Sequence, residues 1–311
     1  MNKEPMNALK AALLSFPDGS IDIRESEPMA RHTTFRIGGN ADLFLTPKTL
    51  DVAVRLFSLL ADLHLPYRVI GNASNLLIAD EGYRGVIVYT GELCEVTVSG
   101  TSLMALCGAT LARCARAAAK ASLSGLEKLS GIPGTVGGAL AMNAGAYEKD
   151  IASLVSSVLV YDVEKRACRT LSASELAFGY RHSIISDQKL IALQCELSMS
   201  ERERCEIFAE MGTLAEKRRR AQPLELPSAG SVFKRPPNDY AGRLIESAGL
   251  KGTRIGGAEI SRKHAGFIVN VGGASAHDVL ALIALIKTEV QKKSDVLLVC
   301  EIEYVNSGEK E

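Results

Sequence analysis

The sequence predicts a mixed helix-and-strand fold divided into two or three domains. Its 311 residues exceed what a single hydrophobic core usually serves. Amphipathic helical stretches and short apolar strands follow one another along the chain. Five glycines lie between Gly131 and Gly145, but their GxxGxxGG spacing differs from the dinucleotide fingerprint GxGxxG. A Rossmann fold is therefore not indicated.

The composition is that of an ordinary globular protein, with 47% hydrophobic and 23% charged residues. Lys plus Arg and Asp plus Glu both number 36, so no overall field favours nucleic acid or an anionic membrane. The seven cysteines form no CxxC, which argues against a zinc site or disulfide framework; we expect buried thiols and no metal. The lack of a signal-peptide core or membrane-length apolar run predicts a cytoplasmic protein.

Apolar residues at helical spacing predict helices over residues 6–16, 49–63, 110–121, 203–220 and 279–293. Thr49 is the predicted cap of the second of these helices, and Ser275 with Asp278 is the predicted capping signal of the last. Alternating or continuous apolar runs predict strands at 32–45 (strand, turn, strand), 67–70, 76–78, 85–89, 93–107, 154–161, 167–171, 190–199 and 295–305. The charge-dense residues 201–204 indicate a domain boundary.

The stretch from Gly131 to Gly145 is the most informative segment. It contains no charged residue, unlike a solvated linker. Glycine this dense occurs where backbone turns sharply or lies directly against a neighbour. The stretch is either a loop that presents backbone N–H groups to a phosphate or flat cofactor, or a tight buried turn.

A second loop of small residues, Gly71–Asn75, lies between two predicted apolar strands. Backbone donors together with serine and asparagine side chains can surround a diphosphate without any lysine. An ordinary Asn/Ser turn accounts for the same residues.

Several polar residues in the C-terminal third also allow two interpretations. Ser231 opens a predicted apolar strand, where a serine bonded to backbone is the simplest explanation. Glu301 shares one face of the last predicted strand with Leu297 and Val299, so it lies at the core edge or is held there for chemistry. The basic residues 217–220 suit a solvated helix end, although one or two of them can reach a phosphate.

Eight separated motifs, in family order, resemble the UDP-N-acetylenolpyruvoylglucosamine reductase (MurB) family of flavoproteins. They are TTFRIGGNAD at 33–42, GNASNLLI at 71–78, GIPGTVGGALAMNAGAY at 131–147, GYRHS at 179–183, AGSVFKRP at 229–236, AGLKG at 248–252, SRKHAGFIVN at 261–270 and CEIEYV at 300–305.

The resemblance implies an α+β fold. A two-domain FAD-binding unit of the vanillyl-alcohol-oxidase and p-cresol-hydroxylase type would span 1–89 and 90–201. A C-terminal α+β substrate-binding domain would span 202–311. Arg181 and Ser231 are only 50 positions apart, so the chain is similar to the shorter second type of the family.

The resemblance also implies the reaction. NADPH and non-covalently bound FAD serve to reduce the enolpyruvyl ether of UDP-N-acetylglucosamine-enolpyruvate to UDP-N-acetylmuramate during peptidoglycan precursor synthesis. The expected enzyme is a cytoplasmic monomer with no nucleic-acid or membrane partner.

Site residues follow from the motifs. By resemblance, Ser231 is the proton donor, and Arg181 and Glu301 polarise the substrate carboxylate. The expected FAD-binding residues are Arg36, Gly38, Gly39, Gly71, Asn72, Ala73, Ser74, Asn75, Gly131, Pro133, Gly134, Thr135, Gly138 and Asn143. The expected substrate-binding residues are Tyr180, Lys217, Arg218, Gln222, Lys234 and His264.

Three positions depart from the family pattern. Ala73 and Glu148 stand where glycine is usual, and a side chain is tolerated there unless φ is positive. His182 stands where aspartate is frequent, which changes the immediate partner of Arg181.

Two other functions are weighed against the reductase. Another FAD oxidoreductase of the same superfamily, acting as an alcohol oxidase, would work without NADPH and in some cases hold FAD covalently. A catalytically silent nucleotide-binding module would be expected to lack Arg181, Ser231 or Glu301, and all three are present.

Overall fold

The computed structural model describes residues 3–187 and 189–306. Residues 1, 2, 188 and 307–311, which include the outer ends of the first and last predicted domains, lie outside the described residues. The helices are α1 Lys3–Leu13, α2 Leu50–Asp62, α3 Leu111–Lys120, α4 Val136–Ala141, α5 Ile184–Asp187, α6 Arg204–Ala221, α7 Ala241–Ser247 and α8 Ala276–Ser294. The strands are β1 Ile21–Pro28, β2 Asn40–Pro47, β3 Tyr67–Ile70, β4 Leu76–Ile78, β5 Tyr83–Tyr89, β6 Val96–Ser99, β7 Ser102–Leu106, β8 Leu123–Ser124, β9 Gly145–Ala146, β10 Lys149–Asp150, β11 Val155–Asp162, β12 Ala167–Ser172, β13 Leu190–Ser198, β14 Ser200–Glu201, β15 Arg254–Ile255, β16 Ala258–Ile260, β17 Ile268–Asn270 and β18 Glu303–Val305.

One compact unit comprises residues 1–24, 43–71 and 85–216. Its largest sheet has the order β12-β11-β13-β7-β6, and every neighbouring pair in it is antiparallel. Buried alanine and cysteine side chains of α3 pack on this sheet, because small residues let the helix approach closely. A second core forms around α1 and α2, where Phe57 contacts Tyr67 and Tyr161.

The other compact unit comprises residues 25–42, 72–84 and 217–311. Its core contains the apolar face of α8, with α7 and the antiparallel sheet β15-β16-β17. Strand β18 pairs in parallel with β4, which brings the C-terminal segment beside the residues that follow the 71–75 loop. The division into three domains stays a prediction.

Helix caps and the bounds of two short strands were predicted most accurately, although only Ile70 of the strand predicted to be buried at 67–70 is buried. The Thr49 side chain accepts a hydrogen bond from Val52 N, and Ser275 and Asp278 form a complete capping box. Strands β3 and β4 have the predicted bounds.

The predicted final strand over 295–305 is wrong for most of its length. Helix α8 continues to Ser294, and only Glu303–Val305 forms a strand. Side chains still alternate from 297 to 302, but Leu297 and Val299 are 65% and 55% exposed. Glu301 itself is half-buried, so the exposed apolar residues before it do not report its environment.

Other predicted elements also differ from the structure. Residues 32–37 form a turn-rich segment rather than a strand, and β2 begins at Asn40. The predicted strand after Ser231 consists of isolated bridges from Ser231 to Phe267 and from Phe233 to Cys300. Strand β1 and the short helices α4 and α7 were not predicted.

The cysteines follow the expectation only in part. Cys107, Cys114 and Cys195 are buried, and burial raises the pKa of the first two thiols to about 12, so both stay protonated at neutral pH. Cys168 and Cys205 are exposed, which corrects the expectation that all seven are core residues.

Two further findings concern the described residues only. No helix among them is long and apolar enough to cross a membrane. Within the same residues, no group of three or more His, Cys, Asp or Glu side chains is arranged to hold a metal ion.

Candidate active site

The stretch 131–145 contains helix α4, whose first N–H groups are already bonded within the protein. Thr135 caps the helix and its hydroxyl accepts from Gly138 N. Val136 N donates to Ala109 O, and Gly137 N donates to Cys107 O, both at 2.8 Å. Because protein carbonyls occupy these donors, the start of α4 is not an open anion cradle. Gly131, Pro133 and Gly134 form the turn that leads into it.

Glycine is required here for close approach. A Cβ at Gly71 would lie 2.1 Å from Thr135 Oγ1, and a Cβ at Gly137 would lie 3.1 Å from Cys107 Cβ. The start of the 71–75 loop therefore lies directly on the cap of α4. The arrangement brings two uncharged, glycine-lined backbone segments together, which fits the binding of a flat, largely uncharged ring.

The 71–75 loop contains a strained residue at position 73. The sequence alone could not show this strain, because it depends on whether φ of that residue is positive. Ala73 has φ +46 and is buried, so an L-residue occupies a left-handed conformation that suits glycine. Asn75 has a structural function in the same loop. Its Nδ2 donates to Glu301 O at 2.9 Å, and its carbonyl accepts from Glu303 N at 2.9 Å.

The glycine pair after Arg36, Gly38 and Gly39, packs closely against residues 78–80 of the same unit. A Cβ at Gly39 would lie 2.1 Å from Asp80 O, and one at Gly38 would lie 2.8 Å from Ile78 Cβ. Arg36 itself is exposed with φ +55. Close packing explains both glycines, and their predicted contact with FAD stays a prediction.

Ser231 and Glu301 lie on neighbouring segments of the second unit. Glu301 N donates to Val232 O at 2.8 Å, and Lys234 N donates to Val299 O at 2.8 Å. Ser231 Oγ makes a long bond, 3.4 Å, to Phe233 O, and the side chain is partly exposed. The hydroxyl is thus weakly held by backbone, while the chain on both sides of it is fixed.

His264 lies close to the same serine. A Cβ built on Gly266 would lie 2.9 Å from His264 Cε1 and 3.6 Å from Ser231 Oγ. His264 Nδ1 accepts from Gly266 N at 3.1 Å, which places any proton of the neutral ring on Nε2. Burial lowers the pKa of His264, so the imidazole is neutral at neutral pH.

Arg181 is held in the first unit at the tip of a tight turn. Gly179 and His182 exchange two backbone hydrogen bonds, and Arg181 between them has φ +54. Its Nη2 donates to Gly145 O at 3.2 Å, and its Cζ lies 5.4 Å from the ring centroid of the exposed Tyr180. His182 Nε2 lies 3.1 Å from Asp187 Oδ2. Where the family often has an aspartate at position 182, this chain has a histidine that pairs with the carboxylate of Asp187.

The predicted FAD ligand Asn143 has its side chain fully engaged with protein. Its Nδ2 donates to Gly179 O at 2.9 Å and to Asp150 Oδ2 at 3.2 Å. Its Oδ1 accepts from Ala152 N at 3.2 Å. The Asn143 amide is therefore oriented by protein groups, and its predicted contact with FAD stays a prediction.

Three of the expected phosphate-binding residues, Lys217, Arg218 and Gln222, lie at or just after the C-terminal end of helix α6. Lys217 is exposed and Arg218 is half-buried. Gln222 Oε1 is buried and has no hydrogen-bond partner among the described residues. An unsatisfied buried acceptor is unusual, and a ligand donor at this position would satisfy it.

The structure brings together the predicted residues of each unit separately. In the first unit, Gly71 contacts Thr135, and Arg181 contacts the end of the 131–145 stretch. In the second, Asn75, Ser231 and Glu301 lie on adjoining segments. The sequence analysis missed Ser183 and Asp150, which support Arg181 and Asn143, although Ser183 stands inside the quoted GYRHS motif.

Comparisons with known proteins agree on one family. A family model described as UDP-N-acetylenolpyruvoylglucosamine reductase, C-terminal domain, matches residues 222–305, and one described as FAD binding domain matches residues 41–164. A curated UDP-N-acetylenolpyruvoylglucosamine reductase from Caldanaerobacter subterraneus subsp. tengcongensis is 46% identical over 92% of this chain and 93% of its own. One of the same name from Listeria innocua is 43% identical, with 96% and 99% covered.

A solved structure supports the fold across nearly the whole chain. The crystal structure of UDP-N-acetylenolpyruvylglucosamine reductase (MurB) from Thermus caldophilus has a TM-score of 0.78 and 37% identity. The match covers 91% of this chain and 98% of that one. The α+β fold with an FAD-binding domain and a C-terminal substrate-binding domain is thereby confirmed.

Proposed function

This chain belongs to the UDP-N-acetylenolpyruvoylglucosamine reductase (MurB) family, and from that premise we propose how its residues divide the reaction among them. The protein is an FAD-containing oxidoreductase of peptidoglycan precursor synthesis that uses NADPH as hydride donor. The whole-chain match to reductases displaces the alcohol-oxidase alternative, because the C-terminal domain model is that of the reductase.

FAD, when bound, supplies hydride transfer between NADPH and the enolpyruvyl group of the substrate. Two glycine-rich backbone segments would hold it, one at Gly71–Asn75 and one at Gly131–Gly138. The close approach of Gly71 to Thr135 supports this assignment, because it brings the starts of the two segments together.

Arg181 and Glu301 would act on the substrate carboxylate. Hydride addition to the alkene builds negative charge toward the neighbouring carbon and the carboxylate, and a fixed cation stabilises that charge. The guanidinium of Arg181 is restrained by its bond to Gly145 O, so little reorganisation is needed during reaction. Glu301 assists if it is protonated or acts through the arginine.

Ser231 would donate the proton that completes reduction. A serine hydroxyl is a weak acid, so its function depends on fixed surroundings. The observation that carries this role is the bond from Glu301 N to Val232 O, which sets Glu301 beside Ser231 on the adjoining segment. The long bond of Ser231 Oγ to Phe233 O leaves the hydroxyl able to turn toward a substrate.

Ser231→Ala tests this role. The variant should bind FAD and accept hydride from NADPH as the wild type does, while turnover falls about 10²- to 10⁴-fold. Ser231→Cys, which keeps a proton donor, should retain more activity than Ser231→Ala. Equal turnover of Ser231→Ala and wild type would remove Ser231 from the chemistry.

The remaining roles concern substrate phosphates, assembly and location. Lys217, Arg218, Gln222 and Lys234 would hold the diphosphate or sugar, which the unsatisfied Gln222 oxygen supports. We propose a cytoplasmic location, since UDP-sugars and NADPH are cytoplasmic metabolites. The balanced charge of the chain gives no reason to expect a nucleic-acid partner. The resemblance to the family leads us to propose a monomer. Sedimentation of the purified protein would distinguish a monomer from a dimer.

A further inference from the structure

Three hydrogen bonds join the Arg181 loop to the end of the glycine-rich stretch. Ser183 Oγ donates to Ala141 O at 3.0 Å, and Asn143 Nδ2 donates to Gly179 O at 2.9 Å. Arg181 Nη2 donates to Gly145 O at 3.2 Å. The bonds use every second residue from 141 to 145, so the loop 179–183 is attached along its whole length.

The middle bond has a defined orientation. Asn143 Nδ2 points to two acceptors, Gly179 O and Asp150 Oδ2, while Oδ1 accepts from Ala152 N. If the amide were reversed, its oxygen would face the oxygens of Gly179 and Asp150, and its NH₂ group would face the N–H of Ala152. Only the observed orientation therefore satisfies all three hydrogen bonds. Asp150 is itself fixed, because its Oδ1 accepts from Ser153 N.

Ser183 and Asn143 are nearly inaccessible to a ligand. Ser183 is 0% exposed and Asn143 is 4% exposed. Their polar atoms bond protein groups, so neither side chain is placed to touch a substrate. Their effect on a reaction must pass through the residue that they hold.

That residue is strained. Arg181 has φ +54, a left-handed conformation that is unfavourable for an L-residue and persists only where the surroundings determine it. The bonds at Gly179 and at Ser183 fix the turn on both sides of Arg181. Without them the turn is free to relax, and the guanidinium moves with it.

We propose that Asn143 and Ser183 are positioning residues for Arg181, and that they couple its guanidinium to the same backbone that carries the glycine-rich FAD loop. The inference rests on the proposed role of Arg181. Residues 141–145 thereby set the arginine and the flavin loop as one rigid piece. Asn143 acts on the reaction through Arg181 rather than by contact with FAD.

A double-mutant cycle tests the coupling. Ser183→Ala and Asn143→Gly are each made in the wild type and in Arg181→Ala; glycine is chosen at position 143 because Asn143 has φ +43, which glycine accepts. The measured quantity is the single-turnover rate at which UDP-N-acetylglucosamine-enolpyruvate reoxidises the reduced enzyme, which remains measurable in slow variants. Flavin content and melting temperature are recorded for each protein.

In the wild-type background we expect the rate to fall about tenfold for Ser183→Ala and up to about a hundredfold for Asn143→Gly, with flavin retained. In the Arg181→Ala background the same changes should alter the rate less than about twofold, because nothing remains to be positioned. Ser186→Ala is the matched control, since the hydrogen bonds of its hydroxyl go to Ser183 O and Asp187 Oδ1 in the same turn. Its rate should stay within about twofold of wild type.

Each other outcome rejects the inference. Equal losses in both backgrounds would show that Asn143 and Ser183 are only structural, while the role of Arg181 stands. No loss in the wild-type background would show that the loop needs neither bond. A fully active Arg181→Ala would remove the proposed role of Arg181, and the inference with it.

Discussion

The turn between β9 and β10 offers a sharp test of backbone strain. The pairs Ala146–Lys149 and Gly145–Asp150 leave only Tyr147 and Glu148 in the loop. Their φ values are +54 and +62, as in the two central residues of a type I′ turn, which favours Asn-Gly. We predict that Glu148→Gly stabilises the protein.

The magnitude follows from two opposing contributions. Releasing an L-residue from a left-handed conformation gains about 1–2 kcal/mol. The greater freedom of glycine in the unfolded chain costs about 0.4–1 kcal/mol. Glu148 is exposed, so no buried area is lost. The net gain should be about 0.5–1 kcal/mol, which corresponds to roughly 1–3 °C in a chain of this size.

Thermal melting of the FAD-loaded protein measures this effect. The matched control is Glu92→Gly, which changes an exposed turn residue whose φ is not positive and should therefore destabilise the protein by about 0.4–1 kcal/mol. A lower melting temperature for Glu148→Gly, equal to that of Glu92→Gly, would refute the strain argument.

Three further predictions follow from particular contacts. Gly71→Ala should lower both FAD content and stability, because its Cβ would lie 2.1 Å from Thr135 Oγ1. Its control is Gly212→Ala in helix α6, where the added Cβ meets open space and the protein should gain about 0.5–1 kcal/mol of stability in the same melting assay. Ala73→Gly should leave stability nearly unchanged, because relief of about 1–2 kcal/mol of strain is offset by glycine entropy and the loss of a buried methyl; a large loss in denaturant titration would contradict this. Because burial lowers the folded-state pKa of His264, its contribution to stability is present above about pH 6.5 and is lost as pH falls, so His264→Gln should flatten the acid limb of the stability profile below about pH 6.5.

Much of the fold was predictable because the signals are local. Thr49 and Ser275 cap helices through their own side chains, and β3 and β4 are short, mostly apolar runs between turns. The strand over 295–305 failed because Leu297 and Val299 are apolar yet exposed, so their pattern did not report burial. Helix α4 was missed because two of its six residues are glycine, which hides a helix held by tertiary bonds.

Candidate site residues could be named from the sequence, and their functions stay predictions, whereas the contacts that support them could not be predicted. Motif resemblance identified Arg181, Ser231 and Glu301, and the family's glycine at positions 73 and 148 is explained by positive φ at both. The contacts of Ser183 and Asn143 with the backbone of residues 141 and 179 join segments about 40 positions apart, and no local pattern encodes them.

The central claim is most directly tested by one anaerobic cycle on the purified protein. The flavin absorbance should bleach on addition of NADPH and return when UDP-N-acetylglucosamine-enolpyruvate is added, with one UDP-N-acetylmuramate formed per flavin. A reduced flavin that stays bleached in the presence of this substrate, in a protein that retains its FAD, would contradict the assignment.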